Sequence, residues 1–135
     1  MKKTTILLLH LNGWLAVLIG SFIVFDPVSL LSSYGLQPDP SIGLLSELRA
    51  PGGLLIVCGL MILRCALDEK LYARGLQLSI MIYGGYGAVR LLGIVLDGQP
   101  PIEILIAAGI ELTLCGLSLL VMWRRRQSLN IAFDS

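Results

Sequence analysis

The sequence predicts an all-α integral membrane protein, an up-down four-helix bundle with both termini cytoplasmic. Three observations predict it. Apolar residues gather into four long blocks, each about 20 residues or slightly more, enough to cross about 30 Å of hydrocarbon at 1.5 Å per residue. The connections between blocks are short, so neighbouring helices run antiparallel. Basic residues fall on one side of a chain so threaded. Composition agrees: 56% of the 135 residues are hydrophobic and 14% are charged, far below the roughly one quarter charged in soluble domains. Nothing is left over for a soluble unit, so residues 1–135 read as a single four-span transmembrane domain. A net charge of +1 gives no electrostatic case for nucleic acid as a partner.

The first span covers about 5–25 and is closed by Asp26-Pro27. Lys2-Lys3 ahead of an apolar run resembles a secretory signal, but the run is long and lacks a small-x-small cleavage site before Asp26, so it reads as an uncleaved span. Gln37-Pro38-Asp39-Pro40 punctuates the following loop. Residues 28–36 are apolar but too short to cross, which predicts an interfacial turn or short helix. The second span, about 44–66, opens with Glu47-Leu48-Arg49-Ala50-Pro51-Gly52-Gly53 and ends in a short polar turn at 67–72. The third span covers about 73–96 and turns at Asp97-Gly98-Gln99-Pro100-Pro101, whose prolines are placed to start the fourth, about 102–123.

Orientation follows from Lys and Arg alone. Lys2, Lys3, Arg64, Lys70, Arg74, Arg124, Arg125 and Arg126 share one side of the four-span arrangement; Arg49 and Arg90 lie at or within spans. The first and third loops carry Asp26, Asp39 and Asp97 but no basic residue. The basic side is therefore expected in the cytoplasm and the protein in the cell (inner) membrane. Arg124-Arg125-Arg126 after Trp123 reads as a topology anchor, since three charges fall short of a polybasic lipid-binding cluster.

Close approach of helices in lipid depends on small residues. Gly13, Ala16 and Gly20 in span one, Gly52 and Gly59 in span two, Gly84 and Ala88 in span three, and Gly109 and Gly116 in span four form such stripes. Because every span carries one, packing inside a single bundle is favoured, with homodimerisation as the alternative.

Two opposite charges lie where lipid should be. Arg90 interrupts the apolar run 77–96 and Glu111 the run 102–123. An ionisable group at membrane depth costs roughly 2.5–3.5 kcal/mol on insertion scales, so such groups face a bundle interior and find partners. Arg90 is six residues below Leu96 and Glu111 nine below Ile102, about 9 and 13 Å beneath the same surface, within reach of each other. Tyr83, Tyr86 and Asp97 share the Arg90 face at i−7, i−4 and i+7. Glu47 and Arg49 stand at the head of span two, and Glu103 begins span four. A ligand pocket between spans two, three and four is expected, with Glu47, Arg49, Tyr83, Tyr86, Arg90 and Glu111 as its candidate residues. The alternative is an ion-pair network that only fixes helix register.

Catalysis is poorly supported. Arg is too permanently protonated to act as a base, and no nucleophile or acid/base pair accompanies it. His10 and Asn12 sit apart in span one, and a single His without a second ligand reads as a hydrogen-bonded packing residue. Cys58, Cys65 and Cys115 all fall within spans without a C-x-x-C pair and read as small buried hydrophobes. No metal-type cluster or phosphate-cradling loop is present; no cofactor or metal is expected.

With these residues in hand, the chain resembles a bacterial family of small four-span membrane proteins of unknown function, similar in appearance to the DoxX-like proteins. The resemblance rests on Glu47-Leu48-Arg49-Ala50-Pro51-Gly52-Gly53, on Gly87-x-x-Arg90 through Asp97-Gly98-x-Pro100, and on Glu111. The family pattern commonly has an aromatic where Pro51 stands. The resemblance implies a helical bundle with this acidic and basic set near one face, and no established activity.

Three functions are compatible with these features. The first is a non-enzymatic membrane protein whose outward-facing polar pocket binds a small hydrophobic or amphiphilic molecule, Arg suiting a carboxylate or phosphate head group. The second is a structural or accessory subunit packed against another membrane protein or a second copy. The third is a membrane enzyme acting on a quinone or lipid. A channel or transporter is disfavoured, because no pair of interrupted helices occurs in matching halves.

Overall fold

Backbone polar groups in hydrocarbon must find partners within their own segment, which makes each long apolar block a helix. The computed structural model describes the backbone of residues 2–35 and 41–133, with side chains through Ser128. The described residues form helices α1 (Lys2–Phe25), α2 (Pro27–Ser33), α3 (Ile42–Ala66), α4 (Tyr72–Asp97) and α5 (Ile102–Phe133), with a single 3₁₀ turn at Glu69–Leu71 and no strand. All but α2 are long and apolar enough to cross a membrane. Their outward faces are correspondingly greasy: Phe25, Val95 and Leu7 stand open among some thirty large exposed apolar side chains, a surface suited to lipid or to another apolar partner.

Local chemistry sets the breaks. The carboxylate of Asp26 accepts from Ser29 N at 3.2 Å, and Pro27 takes the first helical position, so α1 stops and α2 starts there. α2 is the short helix expected within 28–36; Leu36 and the Gln37-Pro38-Asp39-Pro40 punctuation lie outside the described residues. Ser41 caps α3 through Leu44 N at 3.2 Å. Pro51 sits inside α3 and leaves the carbonyl of Glu47 without its i+4 donor. Asp68 holds the α3–α4 turn by accepting from Lys70 N at 3.0 Å. Gly98, with φ +95°, closes α4 in a conformation that favours glycine. The Pro101 carbonyl then receives Ile104 N at 3.1 Å and opens α5. The last helix runs ten residues beyond the expected end at Trp123. Nothing in 124–133 stops it, since that stretch has neither Pro nor Gly.

Pairing directions follow from which glycines meet which neighbours. A Cβ added at Gly20 would lie 2.6 Å from Gly52 O, and one at Gly59 would lie 2.8 Å from Gly13 O. Rising numbers on α1 thus meet falling numbers on α3, and the two run antiparallel at backbone contact. On the other side of the molecule, Gly87 meets Leu112 and Gly84 meets Cys115, so α4 and α5 are antiparallel as well. Gly75 packs on Leu9 and Tyr83 bonds Asn12, which makes α4 parallel to α1.

The interior is unevenly filled. Leu8, Leu9, Ile62, Ala66, Tyr72 and Leu76 form one buried cluster near the start of α1. At that end Lys2 Nζ lies 2.7 Å from Glu69, and the Arg125 guanidinium lies 5.1 Å over the Tyr72 ring. One small-residue stripe departs from expectation. Gly109 and Gly116 of α5 face open space, with nothing within 4 Å of a Cβ at either. The inward face of α5 is instead built by Ala108, Glu111, Leu114 and Ser118, all buried or half-buried.

Candidate functional site

The half of the molecule opposite the packed cluster holds a cavity of about 130 Å³. Its walls come from α1 (Leu15, Ala16, Ile19, Ile23), α4 (Ile82, Tyr83, Tyr86, Arg90) and α5 (Ala107, Ile110, Glu111). Leu55 is the contribution of α3. Helical spacing explains the α4 side: 83, 86 and 90 fall at three- and four-residue intervals and share a face. The α1 side is explained the same way by 15, 16, 19 and 23.

At one edge of this space Arg90 Nε lies 2.9 and 3.1 Å from the two carboxylate oxygens of Glu111. The side chains are 26% and 14% exposed, so the charges are largely withdrawn from the surface but not sealed. Arg90 also borders a second, shallower space of about 250 Å³ formed by Gly93, Ile94, Asp97, Gly98, Gln99, Pro100 and Ile104. Arg90 therefore borders both the cavity and a groove at the α4–α5 turn whose rim carries Asp97 and Gln99.

A buried polar link extends from one wall residue, Tyr83. Tyr83 is buried, and its hydroxyl donates to the carbonyl of Asn12. Asn12 Nδ2 donates to Ser118 Oγ at 3.0 Å, and Ser118 Oγ donates to Leu114 O at 2.7 Å. Asn12 is fully buried and its Oδ1 has no partner among the described residues. This link between α1, α4 and α5 is absent from the sequence-based site, in which Asn12 stands apart from the charge cluster. The available signal was a buried amide inside an apolar run, the same kind of anomaly as Arg90.

The candidate residues thus separate into two groups. Tyr83, Tyr86, Arg90 and Glu111 line one cavity. Glu47 and Arg49 do not. Both are exposed on α3, and Arg49 Nε donates to Val24 O at 3.0 Å, where it satisfies a carbonyl of the last turn of α1. The space lies between α1, α4 and α5, whereas the sequence suggested spans two, three and four. Apolar wall residues such as Leu15 and Ile19 are indistinguishable in sequence from lipid-facing ones.

Two other polar side chains of the spans bond the preceding turn of their own helix. His10 Nδ1 donates to Ile6 O at 2.9 Å, and Ser79 Oγ donates to Gly75 O at 2.9 Å. The three cysteines are free. Among the described residues no group of three His, Cys, Asp or Glu could hold a metal ion.

No curated protein and no solved structure matches the chain. A family model does, over residues 4–122, and with it all four long apolar helices: the chain belongs to the family described as domain of unknown function DUF4345.

Proposed function

We propose that this is a non-enzymatic, multi-pass membrane protein, an up-down bundle of one domain, that binds a small hydrophobic or amphiphilic molecule among its helices. The observation that carries the reading is the cavity whose apolar walls enclose Tyr83, Tyr86 and the Arg90–Glu111 pair. Small-molecule sites are commonly concave and apolar, with a few aimed polar groups, and ionisable groups at membrane depth tend to mark function. Enzymatic action on a quinone or lipid is the weaker reading, because Glu111 is held by Arg90 and the Tyr83 hydroxyl by the Asn12 carbonyl.

Eight of the ten basic residues gather at the end where α1 begins and α5 runs on. The positive-inside rule then puts both termini in the cytoplasm of a cell whose inner membrane holds the chain, and the cavity in the outer half. The likeness to DoxX-like proteins stays a resemblance of residues.

Native mass spectrometry of protein released from membranes tests the reading. Wild type should carry a bound small amphiphile, and Ala107→Phe, which fills the cavity from its wall, should lose it. Arg49→Ala should retain it, because Arg49 lies away from the cavity. A bare wild-type protein, or a ligand unaffected by Ala107→Phe, overturns the proposal.

A second reading, a subunit packed against another membrane protein or a second copy, draws support from the open Gly109–Gly116 face of α5. Small residues are what lets another helix approach closely.

A further inference from the structure

A guanidinium carries five N–H donors, and Glu111 takes one of them. Both carboxylate oxygens lie on Nε, at 2.9 and 3.1 Å. Nη1 and Nη2 make no hydrogen bond among the described residues. They are not sealed either: among the described residues, Asn12 Oδ1 is the sole buried, unpartnered side-chain polar atom. The Nη end of Arg90 therefore opens onto space, and Arg90 borders both the apolar cavity and the groove with Asp97 on its rim. Tyr86 lines the same cavity, and its hydroxyl likewise bonds nothing among the described residues. In hydrocarbon such donors need acceptors.

Charge decides which acceptor fits. Arg90 keeps its proton, and the Glu111 carboxylate balances it. A carboxylate or phosphate brought to the Nη atoms would leave a net negative charge beside Glu111, with Asp97 on the groove rim. In a low-dielectric site that repulsion is weakly screened. A carbonyl oxygen offers two lone pairs and no charge. We propose that the cavity takes an uncharged lipophile bearing a carbonyl acceptor, an ester or ketone on an apolar chain, with that oxygen on the Nη atoms of Arg90. The chain then runs along Leu15, Ile19, Ile23 and Ile110. The proposal rests on the cavity being a ligand site, and it narrows the ligand away from the anionic head group that a lone arginine suggests.

Two photoreactive probes separate the classes: a diazirine-bearing methyl laurate and the corresponding free acid, each presented to the protein in nanodiscs in alkaline buffer, where the acid is ionised. Labelled positions are mapped by peptide mass spectrometry. The ester should label the walls around Leu15, Ile19 and Ile110 about tenfold more than the acid, the ratio that one pKa unit of charge interaction amounts to. Glu111→Gln keeps the shape but leaves Arg90 unbalanced, so preference should turn toward the acid. Arg90→Leu with Glu111→Leu removes both charge and donors and should lose wall labelling by the ester. Wall labelling dominated by the acid in wild type overturns the uncharged class while leaving the cavity a ligand site. An ester preference unchanged in Glu111→Gln also overturns it. Failure of both probes to label the walls in wild type removes the ligand site itself. The wild-type comparison decides alone if Glu111→Gln does not fold.

Discussion

Arg90 and Glu111 cost the chain free energy separately and little together. Truncating one member of a buried pair leaves an uncompensated charge, worth about 3–5 kcal/mol in soluble proteins, whereas replacing both with apolar groups is often nearly neutral. Arg90→Leu alone should therefore lower the melting temperature in detergent markedly, and Arg90→Leu with Glu111→Leu should recover most of the loss. Simple additivity across that double-mutant cycle would show that the two side chains act independently. The pair was legible in the sequence because an ionisable residue in an apolar run is conspicuous, and helical rise alone puts the two at similar depth. Arg49 misled for the same reason. Its charge is equally conspicuous, but it lies near the surface and is used on the carbonyl of Val24. The Asn12–Ser118 link was harder to see, since serine in an apolar helix usually bonds its own i−4 carbonyl, as Ser79 does. Ser118 does this too, and still accepts from Asn12.

Among the helices, α1 and α3 are joined by contact between backbones. Gly13, Gly20, Gly52 and Gly59 stand seven apart on each helix, and a Cβ at any of them would meet an atom of the opposing helix at 2.6–2.8 Å. A flexible side chain can yield to such a Cβ, but a carbonyl oxygen cannot. Gly20→Ala puts the new carbon against Gly52 O, so it must separate the helices. Overpacking of this kind costs about 1–3 kcal/mol. Gly116→Ala adds a methyl to open space and should leave stability unchanged or slightly raised through helix propensity. Melting of the two variants in the same detergent checks the contrast. Equal effects would mean that the α1–α3 contact is looser than described. The stripes themselves are visible in sequence, but the direction each one faces is not. Periodicity marks a face of a helix, and only the neighbours determine whether that face meets a helix or lipid. That is why the α5 glycines, which read like the others, end up pointing outward.

At the scale of the whole molecule, the two ends differ in charge and in packing together. Lys2, Lys3, Arg64, Lys70, Arg74 and Arg124 to Arg126 belong to the end with the filled core, where Lys2 pairs with Glu69 and Arg125 covers Tyr72. The other end carries Asp26, Asp97 and Glu103, and it is the one that contains the cavity and the groove. Basic residues close to span ends resist translocation, and acidic ones contribute little, so the filled, basic end should stay in the cytoplasm. The cavity then faces the outer leaflet, where a lipophile would reach it from the outer leaflet or from outside the cell. Single-cysteine variants in a background lacking Cys58, Cys65 and Cys115 check this directly. A membrane-impermeant maleimide should label Ser41→Cys in intact cells and Ser128→Cys only after permeabilisation. The opposite pattern would turn the molecule over and give the cavity a cytoplasmic mouth. The ligand would then have to come from the cytoplasmic leaflet, although the chemistry of Arg90 and Glu111 would be unchanged.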